Sequence, residues 1–262
     1  MVKKIFLGCL AVCLVLSICA CKSNPGKPEI PTATVGATKP GVPTVGNTEP
    51  ENNTIRPTHS GNEEPTSPGV TDTPDDTLQD DDFVRVVDYI PNAFQNLRYA
   101  TRNNFTGKVI YPFRDAYLRY GTVKKLMDVA AELEKQGYGL LLWDCYRPVS
   151  AQRTLFETFP DPNYVSPPGV GNQNHCRGKA VDLTLYHLDN GAELLMPSEF
   201  DDFTAYADRD YSDVSAEAAA NATLLQTVME RHGFTGYSKE WWHFNDTDEY
   251  PVEENFDPAT LG

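Results

Sequence analysis

Two histidines in the second half of the 262-residue chain stand beside carboxylates at spacings that a merely structural histidine does not need. His175 is followed seven positions later by Asp182, and His243 comes three residues after Glu240. Two imidazoles, one carboxylate and an open fourth position form the ligand set of a catalytic zinc site. His175, Asp182 and His243 are therefore the candidate ligands, for one Zn2+ per domain. Zinc lowers the pKa of bound water to about 7 and polarises a carbonyl oxygen, so a carboxylate lying beside the ion is the natural base. Glu240 fits that role. Either pair alone is a weak signal, because histidines satisfied by ordinary hydrogen bonds are common, and the weight comes from the two together. His232 falls at the end of an expected helix, where a cation or cap is the ordinary explanation, and His187 reads as a surface residue at a strand end. No His-Glu-x-x-His sequence occurs, which excludes the common helical arrangement of zinc peptidases.

The elements that must position these residues can be read coarsely. Thr122 is placed to cap a helix whose Leu126, Val129, Ala130 and Leu133 share one face, with Gly137 as its stop. Leu140 to Trp143 reads as a buried strand, and Pro148 opens a second helix through about Phe159. Ser166 to Gln173 is rich in Pro and Gly and reads as loop. Ala180 to Tyr186 reads as a strand, Ser215 to His232 as a helix closed by Gly233, and Trp241 to Asn245 as a final strand with Trp241, His243 and Asn245 on one face. The mixture lacks βαβ regularity, so the expected fold class is α+β, a mainly antiparallel sheet with flanking helices in a single domain.

Ahead of the domain the composition changes twice. Lys3 and Lys4 precede an apolar run from Ile5 to Ala20, too short to span a bilayer comfortably and suited to a signal peptide over residues 1–20. The run ends Ile18-Cys19-Ala20-Cys21, which resembles a bacterial lipobox and makes Cys21 the expected lipidation site and mature N-terminus. Cys19 is a poorer site, since it would put bulky Ile18 where signal peptidases favour a small residue. Residues 21–82 hold half of the chain's 20 prolines and no aromatic residue, so they read as a disordered stalk ending in Asp80-Asp81-Asp82. His59 lies inside it. Four Lys or Arg against eleven Asp or Glu in the stalk, with the two signal lysines, leave about −10 of the chain's −15 on the domain, residues 83–262. That charge excludes nucleic acid as a partner and leaves an acyl anchor, rather than a basic face, as the means of membrane attachment. The expected location is the cell membrane, lipid-anchored and facing outside the cytoplasm.

Five blocks in order, Tyr99-Ala100-Thr101 through Asn104-Phe105-Thr106-Gly107, Trp143-Asp144-Cys145-Tyr146-Arg147-Pro148, His175 through Leu185, Phe200-Asp201 and Lys239-Glu240-Trp241-Trp242-His243, resemble the D-alanyl-D-alanine dipeptidases of the VanX type. The blocks span nearly the whole domain, and their joint specificity is far above that of any one motif. The resemblance implies hydrolysis of a D,D-dipeptide at a mononuclear zinc with the ligands and base already named. It also implies that Arg147 points at the scissile carbonyl, and that Tyr99 and Asp201 hold the substrate's free ammonium. In one respect the chain departs from the family, which usually has Ser two residues before the first zinc histidine where this chain has Gln173. That puts selectivity at the substrate's amino end in doubt. The family's members are also often cytoplasmic, so an exported one points to scavenging or remodelling of wall peptides.

Two other functions compete with this reading: a D,D-carboxypeptidase trimming peptidoglycan stem peptides, and a non-catalytic lipoprotein that binds wall fragments. The carboxypeptidase would not need the ammonium site of Tyr99 and Asp201, and the binder would not need Glu240. Cys145 and Cys176 are the only cysteines outside the N-terminal segment. Arg147 and His175 must converge on one carbonyl, so their neighbours Cys145 and Cys176 are expected to come within range of a disulfide, against the alternative of two buried thiols.

Overall fold

The computed structural model describes residues 77–171 and 173–261. The signal segment, Cys21, His59 and residues 22–76 of the stalk lie outside them. In chain order the elements are β1 (Phe83–Arg85), β2 (Phe94–Gln95), β3 (Tyr117–Arg119), α1 (Tyr120–Glu134), β4 (Tyr138–Asp144), α2 (Val149–Thr158), β5 (Ala180–His187), α3 (Ala216–Arg231), β6 (Phe234–Tyr237) and β7 (Glu240–Asp246), with short 3-10 turns between them. β1 and β3 form an antiparallel pair, and the other strands form a sheet in the order β2-β4-β5-β7-β6. Only β2 and β4 run parallel, so the sheet is mainly antiparallel and the fold is the α+β arrangement that the sequence leads one to expect.

Leu126, Val129 and Leu133 of α1, Leu225, Val228 and Met229 of α3, and Leu140, Leu142, Leu183 and Leu185 of β4 and β5 form one buried core. Burying each such side chain contributes roughly 1.5–3 kcal/mol, which holds β4 and β5 firmly at the centre of the sheet. Ser215 caps α3, its side chain accepting from Ala218 N, and Gly233 follows the helix with a φ of 85°. Thr122 does not cap α1. The helix begins earlier, after Arg119, and Thr122 is buried in its first turn, where its hydroxyl donates to Asp246 Oδ2 of β7 at 2.7 Å. The domain also begins before Phe83. Leu78 packs on the core, Lys124 pairs with Asp80 at 2.6 Å, and Tyr120 N donates to Asp82 O at 2.8 Å, so the acidic run that composition assigns to the stalk is held by the first turn of α1.

Candidate metal centre and its pocket

Register across the sheet places three residues of the site in a row. Asp144 of β4 lies opposite Asp182 of β5, and Asp182 lies opposite His243 of β7. Directly paired residues bring their side chains close together on one face. His175 enters from a 3-10 turn, His175–Arg177, which ends at Gly178 in the left-handed region with a φ of 71°. Only glycine fits at that corner, because a Cβ there would come within 2.4 Å of the Phe83 ring. The turn is sewn to the end of β4: Arg147 N donates to His175 O at 3.2 Å, and His175 Nδ1 lies 2.8 Å from Cys145 O. On the other side Arg209 donates to the carbonyls of Tyr237, Trp241 and His243, which fixes the strands that carry Glu240 and His243.

His175, Asp182 and His243 converge, with a donor atom of each within 4.8 Å of the other two. His175 Nε2 lies 3.2 Å from His243 Nδ1 and 3.4 Å from Asp182 Oδ2, and His243 Nδ1 lies 2.9 Å from Asp182 Oδ1. A tetrahedral ion with bonds of 2.0–2.1 Å separates its ligands by about 3.3 Å, so these spacings fit one metal ion. The outer ring nitrogens agree. His175 Nδ1 faces the Cys145 carbonyl, and His243 Nε2 faces Asn245 Oδ1 at 2.9 Å. Both outer positions therefore carry the proton in the neutral rings, leaving two imidazole lone pairs and a carboxylate facing one another, which a cation satisfies. Burial works against the charge of Asp182; without a cation His175 and His243 hold its carboxyl well below the usual range only with protons on their inward nitrogens, and a cation does so with both rings neutral.

Glu240 lies beside this cluster, its Oε2 3.8 Å from His243 Nδ1. Burial, reinforced by Asp182 and Asp201, pushes its carboxyl up to about 8. A metal charge next to it would favour the ionised form again. Arg147 is buried as well. Its Nε and Nη2 donate to Asp144 Oδ2 at 2.8 and 2.6 Å, and its guanidinium lies 4.9 Å from the centroid of the Tyr99 ring. Burial opposes its charge, but Asp144, Tyr99 and Asp182 more than compensate and keep it cationic. Tyr99, 102 residues from Asp201 in sequence, donates its hydroxyl to Asp201 Oδ1 at 2.9 Å. Asp201 adopts a φ of 60° and, among the described residues, forms no ion pair with Lys, Arg or His. Burial raises its carboxyl to about 7, against the lowering effect of the Tyr99 hydroxyl. Glu240, Arg147, Tyr99 and Asp201 line one cavity of about 320 Å³ with the three cluster residues and with Gln173, whose φ is 25°.

A family model described as D-ala-D-ala dipeptidase, of the peptidase M15 group, matches residues 79–259. The chain belongs to this family. It is 37% identical to the D-alanyl-D-alanine dipeptidase of Escherichia coli over 154 residues, which cover 59% of this chain and 79% of that protein. It is 35% identical to the D-alanyl-D-alanine dipeptidase of Enterococcus faecium over 174 residues, covering 59% of this chain and 86% of the relative. With that of Streptomyces coelicolor the identity is 33% over 203 residues, covering 67% and 96%.

Within this dipeptidase-family domain the structure corrects the expected disulfide. Cys145 and Cys176 are free, buried thiols. Their backbones do converge, but Cys145 packs in the hydrophobic core cluster whereas Cys176, equally buried, lies outside that cluster beside Tyr146. Burial pushes Cys145 well above the ordinary thiol value and Cys176 up to about 11. Both thiols should therefore resist alkylation in the folded protein and be labelled on denaturation without reductant, as intact-mass measurement would show; an unlabelled protein lighter by two hydrogen atoms would restore the bridge.

Of the other histidines, His232 bonds Glu132 at 2.8 Å and His187 meets the Tyr138 ring at a tilt, and neither joins the cluster. Trp242, not Trp241, lines the cavity beside His243 and Asn245. Sequence reasoning missed three polar residues. Asp144 receives Arg147 and the Tyr111 hydroxyl, Asn245 orients His243, and Gln152 bonds Arg147. The spacing of Asp144 three residues before Arg147 was the available signal for the first.

Proposed function

We propose that this protein hydrolyses D-alanyl-D-alanine, or a closely related D,D-dipeptide with a free amino group, at a single zinc held by His175, Asp182 and His243. The observation that carries the reading is the shared cavity, in which the metal-binding cluster, Glu240, Arg147 and the buried Asp201–Tyr99 pair face the same volume. The names of the relatives, all D-alanyl-D-alanine dipeptidases, support the substrate. Zinc, when bound, supplies a Lewis acid that polarises the scissile carbonyl and makes water acidic enough to attack near neutral pH. Glu240 accepts the proton of the attacking water and passes it to the leaving amine nitrogen. Arg147 donates to the carbonyl oxygen as negative charge grows there. Asp201 and the Tyr99 oxygen receive the substrate ammonium, which gives the buried carboxylate its missing counter-charge.

That last feature separates the dipeptidase from a D,D-carboxypeptidase, because an acylated stem peptide would leave Asp201 facing a neutral nitrogen. Turnover of a panel of D,D, L,D and L,L dipeptides and of N-acetyl-D-alanyl-D-alanine by metal-quantified protein tests the reading. Free D,D-dipeptide should be cleaved and the acetylated one spared; preference for the acetylated substrate would overturn it. Attachment at Cys21 through an acyl group, outside the cytoplasm, is part of the proposal and rests on the N-terminal sequence. Scavenging or remodelling of wall-derived peptides is the role consistent with it.

Arg147→Ala should lower kcat by about 10²–10³-fold, the cost of removing one oxyanion donor, with zinc retained. An effect confined to KM would make Arg147 a substrate-binding group. Asp201→Asn should raise KM for the free dipeptide while stabilising the fold. Its carboxyl is raised from 3.8 to about 7, so its stabilising effect is full below about pH 4 and is lost as pH rises through 7. The gain from Asn is therefore expected above pH 7, on the order of a few kcal/mol at most, and should vanish near pH 4. Denaturant melts at the two pH values check the sign; equal effects at both would mean that Asp201 is not titrating in this range.

A further inference from the structure

We infer that Gln152 is a positioning residue that sets the orientation of Arg147 and ties it to the loop walling the cavity. The inference rests on the reading of Arg147 as the donor to the scissile carbonyl. Gln152 lies in the first turns of α2, whose other buried side chains, Ala151 and Leu155, are apolar. Its own side chain is buried, 3% exposed, and both ends of its amide are used. Oε1 accepts from Arg147 Nη1 at 2.8 Å, and Nε2 donates to Ser166 O at 2.7 Å. Ser166 belongs to the Pro- and Gly-rich segment that forms one wall of the cavity. The same wall is held from the far side by the Tyr237 hydroxyl on Asn163 O and by Lys239 Nζ on Asn163 Oδ1, each at 2.7 Å.

The donor inventory of Arg147 shows what Gln152 adds. A guanidinium has five N–H groups in a planar fork. Nε and Nη2 each place one on Asp144 Oδ2, and Nη1 places one on Gln152, which leaves one N–H on each terminal nitrogen for a substrate oxygen. Asp144 grips the guanidinium along one edge only, and about that edge it can tilt. Gln152 holds the opposite corner, while the Tyr99 ring covers a face. Without Gln152 the one Nη1 proton that had a protein partner loses it in a buried site, and the fork is free to turn away from the carbonyl. Because an oxyanion donor acts through its geometry in the transition state, the loss falls on kcat.

The test uses the full chain, zinc-loaded, with Gln152→Met as a near-isosteric change that removes both amide functions. Gln152→Met should lower kcat for D-alanyl-D-alanine roughly 10–100-fold, with zinc content and KM little changed. Combined with Arg147→Ala it should add almost nothing, because its effect passes through the guanidinium. Gln152→Glu keeps an acceptor for Nη1 and should recover part of the rate. If turnover of the Arg147→Ala protein is too slow to measure, the same cycle is read on affinity for a phosphinate analogue of the dipeptide, whose charged oxygens stand in for the developing oxyanion. The full cost of Gln152→Met persisting in the Arg147→Ala background, or Gln152→Glu as slow as Gln152→Met, would overturn the inference and leave Gln152 a structural tether of Ser166. Wild-type kcat in Gln152→Met with a slow Arg147→Ala would overturn it too. Wild-type kcat in Arg147→Ala itself would instead remove the reading of Arg147 on which it rests.

Discussion

His243→Ala is expected to strip the protein of zinc and, with it, of turnover. The site has three protein donors and no fourth in reserve: among the described residues the metal-binding cluster consists of His175, Asp182 and His243 alone. Removing one imidazole leaves a bidentate site, and the open coordination positions then fill with water, which gives up the affinity of a preorganised ligand. The neighbouring donors cannot substitute. Asn245 Oδ1 is engaged by Asn174 Nδ2 at 2.7 Å, and the Cys145 thiol is turned into the core with its pKa raised by burial. His175→Ala should behave the same way. Asn245→Ala, which keeps all three ligands and removes only the partner of His243 Nε2, should weaken zinc by a smaller factor, on the order of 10–100-fold. Zinc per mole of protein after dialysis, measured beside turnover, distinguishes these cases. Stoichiometric zinc in His243→Ala would take that residue out of the ligand set.

How much of this site was legible in the sequence depends on what each residue does. The candidate ligands and Glu240 announce themselves by type, since two histidines each close to a carboxylate carry weight together, and the structure brings all four side chains to one cavity. The strands that carry them were legible too: β5 sets Ala180, Val181, Leu183, Leu185 and Tyr186 around Asp182, and α3 is bracketed by Ser215 and Gly233, which have strong local chemistry. Gln152, Asp144 and Asn245 were not. A buried glutamine or asparagine acquires its role from cross-strand register and from partners many residues away, such as Ser166 for Gln152 and Asn174 for Asn245, and no periodicity encodes that. The same limit explains the misplaced cap at Thr122, where a hydroxyl that suits a helix start is used instead to reach Asp246 on β7, 124 residues on. It also explains Cys145 and Cys176, whose backbones meet as expected while the thiols stay free, that of Cys145 in the core cluster. Strands β1, β2 and β3, of three, two and three residues, are too short to show alternation at all.

Glu240→Gln should leave zinc in place and cost roughly 10²–10⁴-fold or more in rate. The carboxylate is 3.8 Å from Nδ1 of His243 and stands outside the cluster proposed to hold the metal, so its replacement should remove no ligand. Gln preserves the volume of a side chain that is only 9% exposed and retains a hydrogen-bond acceptor, but it cannot take a proton from water at neutral pH. The other contacts proposed for the substrate, Arg147 at the carbonyl and Asp201 with Tyr99 at the ammonium, are untouched. Dipeptide should therefore still bind with near-wild-type affinity, and the variant should hold substrate without cleaving it. Calorimetric titration with D-alanyl-D-alanine, run beside metal analysis and single-turnover kinetics, reads all three quantities. Loss of zinc in Glu240→Gln would make Glu240 a ligand and move the role of base elsewhere. A rate within a few-fold of wild type, with zinc retained, would mean that the proton of the attacking water leaves by another group, for which Asp201 in the same cavity would be the next carboxylate to test.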